Sequence, residues 1–247
     1  MAVVTAAVLL ATLAVFNQVK AQGLSWQEEH YVTELQQVVN GSANTPEQHR
    51  PLSAWMAVAF FRIFQGLGVP RATGVGLVFI QLSLAIVLFL LALLYYRRLG
   101  IPYYPGLFGL SAIAWGMTFW GHESTLAFDA HLNIIFYLLA ALSLIRNQYL
   151  WIIPITAVAA LNRETSILIP FMALACAPRK RAALPAWFAL ATYGLVYGLL
   201  RVLFPAATPP AATATIHLFH MLAVLGIIPV LAFMAPKAWP PVLVVLA

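Results

Sequence analysis

Nine apolar runs, at about 2–18, 52–68, 73–96, 103–119, 124–145, 149–161, 163–176, 184–204 and 216–235, make up most of the chain, and apart from the segment 20–51 little polar sequence separates one from the next. A soluble domain carries about a quarter charged residues. In this chain of 247 residues only 8% are charged and 63% are hydrophobic. Too little polar surface remains to face water, so the lipid bilayer is the expected solvent. The short segments of alternating polarity that a membrane barrel needs are absent. The expected fold is all-α: a polytopic transmembrane helical bundle of about eight spans.

The formal charge of +6 does not point to nucleic acid, because the basic residues stand singly or in short clusters between apolar runs, as positive-inside topology requires. The single cysteine, Cys176, lies inside an apolar run and reads as a small buried hydrophobe. Val19-Lys20-Ala21 loosely resembles a signal-peptidase site, but no basic residue precedes the first run, so an uncleaved first helix is expected.

A full span needs about 20 residues, and the pair 149–161 and 163–176 falls short of that. They meet at Asn162-Arg163-Glu164-Thr165. One continuous helix there would put an arginine and a glutamate at mid-membrane; two short helices would put them at the tip of a hairpin. Charge bias favours the hairpin, with 52–68 lying along the interface. Arg97, Arg98, Arg146, Arg179, Lys180, Arg181 and Lys237 then share one side with no acid, which makes that side cytoplasmic. Glu28, Glu29, Glu34, Glu47, Glu123, Asp129 and Glu164 fall opposite or at that membrane edge. Letting 52–68 span, or letting 149–176 span once, breaks this separation.

Residues 20–51 form the one long polar loop. Ser25 and Glu28 read as a capping box opening a helix over about 26–39, which Asn40-Gly41 ends. That helix and 52–68 are expected as two interfacial helices. Pro205 to Ala214 reads as an outer loop, and the last apolar stretch is cut about ten residues in, at Ala247. The expected division is a seven-span module over 1–204 and a shortened remainder over 205–247.

Ionisable residues at membrane depth face a cavity or the bundle interior, so each begins as a functional candidate. Arg163-Glu164 suits either a lipid-phosphate contact through the guanidinium or an ion pair locking the hairpin. Glu28-Glu29-His30 offers a general base or plain N-terminal carboxylates. His122-Glu123 suits a polar substrate or a capped outer loop. Asp129 needs a partner, with Arg163 and His131 in view. Arg201 snorkels or binds phosphate. His49 and Arg50 close the outward set. His217 and His220 share a helix face, but no carboxylate or cysteine stands near, so no metal or other cofactor is expected.

Three local patterns then carry a resemblance: Thr45–Leu52 (T-P-E-Q-H-R-P-L), His122–Asp129 (H-E-S-T-L-A-F-D) and Leu161–Ser166 (L-N-R-E-T-S). Together with the order of elements over about 1–204, they resemble the GT-C fold of polytopic glycosyltransferases that use polyprenyl-phosphate-linked sugars. The resemblance implies sugar transfer on the extracytoplasmic face of a bacterial-type inner membrane. It implies Glu28 or Glu29 as base and Arg163 with Arg50 on the lipid phosphate. His122, Glu123, Asp129, Glu164 and Arg201 would contact substrate. The family's base is usually an aspartate, and this outer loop has none. A non-catalytic subunit of a larger membrane complex, with protein partners in the membrane, is therefore the alternative reading. A transporter is a third, disfavoured because no inverted repeat is visible.

Overall fold

The computed structural model describes residues 2–43, 47–120, 127–176 and 179–204, and every regular element among them is helical. The α-helices among these residues are α1 (Ala2–Gln22), α2 (Leu24–Val39), α3 (Pro51–Gly66), α4 (Ala72–Arg98), α5 (Tyr103–Trp120), α6 (Ala127–Ile145), α7 (Ile152–Ala160), α8 (Leu168–Cys176) and α9 (Arg179–Leu203). Among the described residues three stretches are long and apolar enough to cross a membrane: Ala2–Ala21, Ala72–Arg98 and Arg181–Leu203. The helical class and a membrane character follow. The expected eight spans do not, since the apolar stretches of α6, α7 and α8 among the described residues are shorter.

The path of the chain sets which ends meet. Gln18 Nε2, near the end of α1, donates to the carbonyl of Met117, near the end of α5, at 2.6 Å. Glu28, early in α2, reaches Arg71 and Gly74 at the start of α4, so α4 returns antiparallel to α1. Far along α4, Arg97 lies over the ring of Tyr103, where α5 begins, 5.6 Å from its centroid. Helices α6 and α9 run between the same two ends. Arg97, Arg98, Arg146 and Arg181 therefore collect at one end, with no described acid. Lys20, Arg50, Arg71, Arg163 and Arg201 stand at the other, with Glu28, Glu29, Asp129 and Glu164.

Packing follows the physics of helices in lipid. Apolar burial drives little association there, so small residues allow close approach and dispersion does the rest. Ala7, Ala11 and Ala14 of α1 recur on one face, and they are buried in the same core as Ala85, Leu88, Phe89 and Ala92 of α4. Ala140 and Ala141 of α6, Ala159 of α7, Ala173 of α8 and Ala182, Ala186 and Ala189 of α9 extend that core. A second, smaller cluster joins Leu35 and Val38 of α2, Ala54 and Ala57 of α3, and Leu77 and Ile80 of α4. The C-terminal half of α3 lies beside the first turns of α4, with Phe61 against Gly76 and Phe64 against Phe79. Helices α2 and α3 thus cap one end of the bundle.

One local expectation needs correction. Helix α2 starts at Leu24, before Ser25, and its N-terminus has no side-chain cap. The capping box fails because both of its side chains take a tertiary partner: Ser25 Oγ accepts from Arg71, and Glu28 binds Arg71 and α4. At the other end Asn40 and Gly41 do terminate α2. Gly41 takes φ +73, and the Ser42 N–H closes on the Gln37 carbonyl at 2.8 Å, the left-handed stop that glycine permits. Helix α9 begins at Arg179, ahead of the apolar run at about 184–204, because Arg, Lys and Ala are strong helix formers and carry the helix through the basic cluster.

Candidate functional site

The break between α7 and α8 builds the site. After Leu161 the amides of Asn162 and Arg163 both close on the Ala159 carbonyl, and Arg163 then turns extended. A single 3-10 turn, Glu164–Ile167, leads into α8. Continuing the helix would bury two charges along an apolar rod, at about 2.5–3.5 kcal/mol each at mid-bilayer. Side chains hold the alternative path instead. Asn162 Nδ2 donates to the Asp129 carbonyl at 2.9 Å, and Ser166 Oγ donates to the Arg163 carbonyl at 2.7 Å. Tyr193 of α9 donates to the Glu164 carbonyl at 2.8 Å, and Tyr137 of α6 to the Thr165 carbonyl at 2.6 Å.

Arg50 arrives from the far side of the sequence. Gln48, fully buried, accepts from the Ala43 N–H at 3.0 Å and donates to the Val38 carbonyl at 3.2 Å, tying this loop to the end of α2. Pro51 opens α3 at a position where no amide hydrogen is needed. The Leu52 N–H donates to the Leu161 carbonyl at 3.1 Å, which docks α3 on the α7–α8 break.

Four charges then meet in a row. Arg163 forks onto Asp129, Nε to Oδ2 at 3.1 Å and Nη2 to Oδ1 at 2.8 Å. Arg50 forks onto Glu164, Nε to Oε2 at 3.3 Å and Nη2 to Oε1 at 2.7 Å, and its Nη1 reaches Asp129 Oδ2 at 3.4 Å. Bidentate pairing of this kind is the strongest geometry available to arginine. The two sides differ in burial: the Asp129 side chain is 3% exposed and that of Glu164 is 32% exposed. Burial presses Glu164 toward protonation, but the charge and hydrogen bonds of Arg50 lead the opposing effects. Its carboxyl therefore sits below the usual 4.5. His49 is held below its usual 6.5, first by burial and then by the positive charge of Arg201. Arg201 itself lies over the Tyr197 ring, 5.0 Å from the centroid, and Tyr197 stacks on Tyr193.

Comparison with protein-family models, with curated proteins and with solved structures finds no match. The site must therefore be read from its own chemistry.

Of the residues singled out in the sequence, Arg50, Asp129, Arg163 and Glu164 come together, and Asp129 takes Arg163 as its partner. Arg201 stands beside His49 and outside the ion-paired row. Glu28 is taken elsewhere: Arg71 Nε donates to its Oε2 at 3.1 Å, and the Gly74 N–H donates to its Oε1 at 3.2 Å. Glu29 is exposed, with its main-chain carbonyl accepting from Thr33 Oγ1. His122, Glu123, His217, His220 and Lys237 lie outside the described residues. Among the described residues no three His, Cys, Asp or Glu side chains converge as a metal site.

Sequence reasoning missed Arg71, Tyr137 and Tyr193. Arg71 had a visible signal, a lone basic residue directly before an apolar run. The tyrosines had none, since a phenol on an apolar helix shows its partner only in three dimensions.

Proposed function

We propose that the chain is a GT-C-like membrane glycosyltransferase module that moves a sugar from a polyprenyl-phosphate carrier on the extracytoplasmic face. The observation that carries this reading is the convergence of Arg50, before α3, with Arg163, at the α7–α8 break, on one buried carboxylate. In this reading α2 and α3 lie along the interface, α7 and α8 form a membrane hairpin, and about eight spans are present. The end bearing Arg97, Arg98, Arg146 and Arg181 faces the cytoplasm.

The chemistry needs few parts. An acceptor hydroxyl oxygen attacks the anomeric carbon, and the bond from that carbon to the phosphate oxygen breaks. The phosphate leaves with the bonding pair, and a carboxylate takes the hydroxyl proton. Arginines fixed at the phosphate stabilise the charge that develops there. With Glu28 engaged by Arg71 and the α4 amide, Glu29 is the outer-loop carboxylate assigned to the base.

A second reading, a non-catalytic subunit of a membrane complex, draws on one observation: Glu28 serves as a helix cap and ion-pair partner. Native mass spectrometry of the protein from its own membrane, beside Arg163→Ala, separates the two. A co-purifying polyprenyl phosphate that the variant loses supports the transferase. Stoichiometric protein partners and no such lipid reverse the order.

A further inference from the structure

Both guanidinium groups of the row are already engaged: Arg163 forks onto Asp129, and Arg50 forks onto Glu164 and touches Asp129. An anionic donor can take the forked geometry of either arginine only by displacing a carboxylate that holds it. One carboxylate must therefore give way, and the geometry distinguishes them. Asp129 is almost wholly buried, forked by Arg163 and touched by Arg50. Glu164 meets only Arg50 among the four and is the more exposed. The backbone around Glu164 is pinned from both sides, by Tyr193 on its carbonyl and Tyr137 on the next. Its side chain can leave without moving the turn.

We propose that Glu164 is a displaceable counter-ion holding the place of a singly charged phosphodiester. This rests on the transferase reading. Binding swaps the Glu164 carboxylate on Arg50 for a phosphodiester oxygen pair, while Asp129 stays on Arg163. The swap conserves charge: one negative group leaves and one enters. A sugar linked to its lipid through a single phosphate carries that one charge. A diphosphate linkage carries two, so a one-for-one exchange with Glu164 matches a monophosphate-linked donor. Asn162 Oδ1 adds a detail: it is buried and has no hydrogen-bond partner among the described residues, and it suits a donor hydroxyl rather than an anion.

The test uses purified protein in nanodiscs with three probes: methyl farnesyl phosphate, the farnesyl methyl diester of diphosphate and lipid-free dimethyl phosphate. Native mass spectra report binding, and carbodiimide labelling of carboxyl groups reports displacement in the unmutated protein. With methyl farnesyl phosphate, labelling of Glu164 is expected to rise while Asp129 stays protected. Glu164→Gln, lacking the competing charge, is expected to bind that probe about tenfold more tightly. The diphosphate should bind no better than the diester. Dimethyl phosphate binding as well as the prenyl diester would transfer the exchange to a free phosphodiester. If the diester binds but Glu164 labelling stays flat, the exchange is wrong and the transferase reading survives. If neither the wild-type protein nor Glu164→Gln retains the diester, both fall.

Discussion

Two acid–arginine sites stand at the same end of this bundle, and they differ in what surrounds them. At the α7–α8 break Arg163 and Arg50 flank Asp129, which is 3% exposed. At the start of α4, Arg71, whose side chain is 51% exposed, holds Glu28 against the first turn of the helix. The partner chemistry is the same. In the first site desolvation makes each charge depend on its neighbours, so loss of one partner strands the others. In the second, water competes for both partners and salt screens them. One site therefore defines the fold locally, whereas the other fastens the cap formed by α2 and α3.

The sharpest way to break this contrast is to remove the shared anion of the buried site. Asp129→Ala leaves two guanidinium groups with one carboxylate between them, and a stability loss of about 3–5 kcal/mol is expected. Denaturant unfolding in detergent micelles measures it. A loss under 1 kcal/mol would mean that water enters the row freely and that the two sites do not differ.

Acid provides the next largest effect, and its sign is fixed by the directions of the shifts. The Glu164 carboxyl is depressed below 4.5 in the folded protein, so its contribution is present above that value and fades as pH falls through the lower folded value. His49 is also depressed, below 6.5, so folding disfavours its protonation and stability declines in the same direction, beginning under pH 6.5. A pH series of thermal unfolding should show stability falling from pH 7 toward pH 4. His49→Gln should remove the upper part of that fall and leave the lower part. A profile unchanged by His49→Gln would show that His49 titrates alike in both states.

How much of this was legible in the sequence differs between the two sites for a physical reason. The break at Asn162-Arg163-Glu164-Thr165 could be read directly, because charges in the middle of an apolar stretch leave the chain few alternatives. Asp129 was legible as needing a partner, yet Arg163, 34 positions away, is settled only by how α6 meets the break. Arg50 was legible as one of the outward ionisable residues, but its carboxylate partners, 79 and 114 positions away, were not. The Glu28 site misled, because Ser25 and Glu28 satisfy a local capping pattern while Arg71, 43 positions beyond Glu28, offers a stronger partner. Local patterns compete with tertiary partners, and hydropathy says nothing about which of them wins.

A smaller effect tests whether Glu28 is seated as a cap. A Cβ placed on Gly74 would lie 2.8 Å from Glu28 Cδ, so Gly74→Ala must push the carboxylate away. Alanine is otherwise preferred over glycine within a helix by about 1 kcal/mol. In a Glu28→Ala background, Gly74→Ala should therefore stabilise by about 1 kcal/mol, and in the wild-type background the gain should vanish or reverse. Equal gains in both backgrounds would show that Glu28 does not sit on the α4 amide.

The smallest expected effect is that of salt on the exposed site. Raising ionic strength from 0.1 to 1 M shortens the screening length from about 10 to 3 Å. The loss caused by Arg71→Ala should shrink toward zero over that range, because its partner is already screened in the parent protein. The loss caused by Arg163→Ala should persist, since few ions reach a carboxylate enclosed by two guanidinium groups and a helix break. Matching salt curves for the two variants would place both acids in the same dielectric surroundings. The exchange assigned to Glu164 would then lose its basis, because a well-solvated row has no need to expel one anion before admitting another.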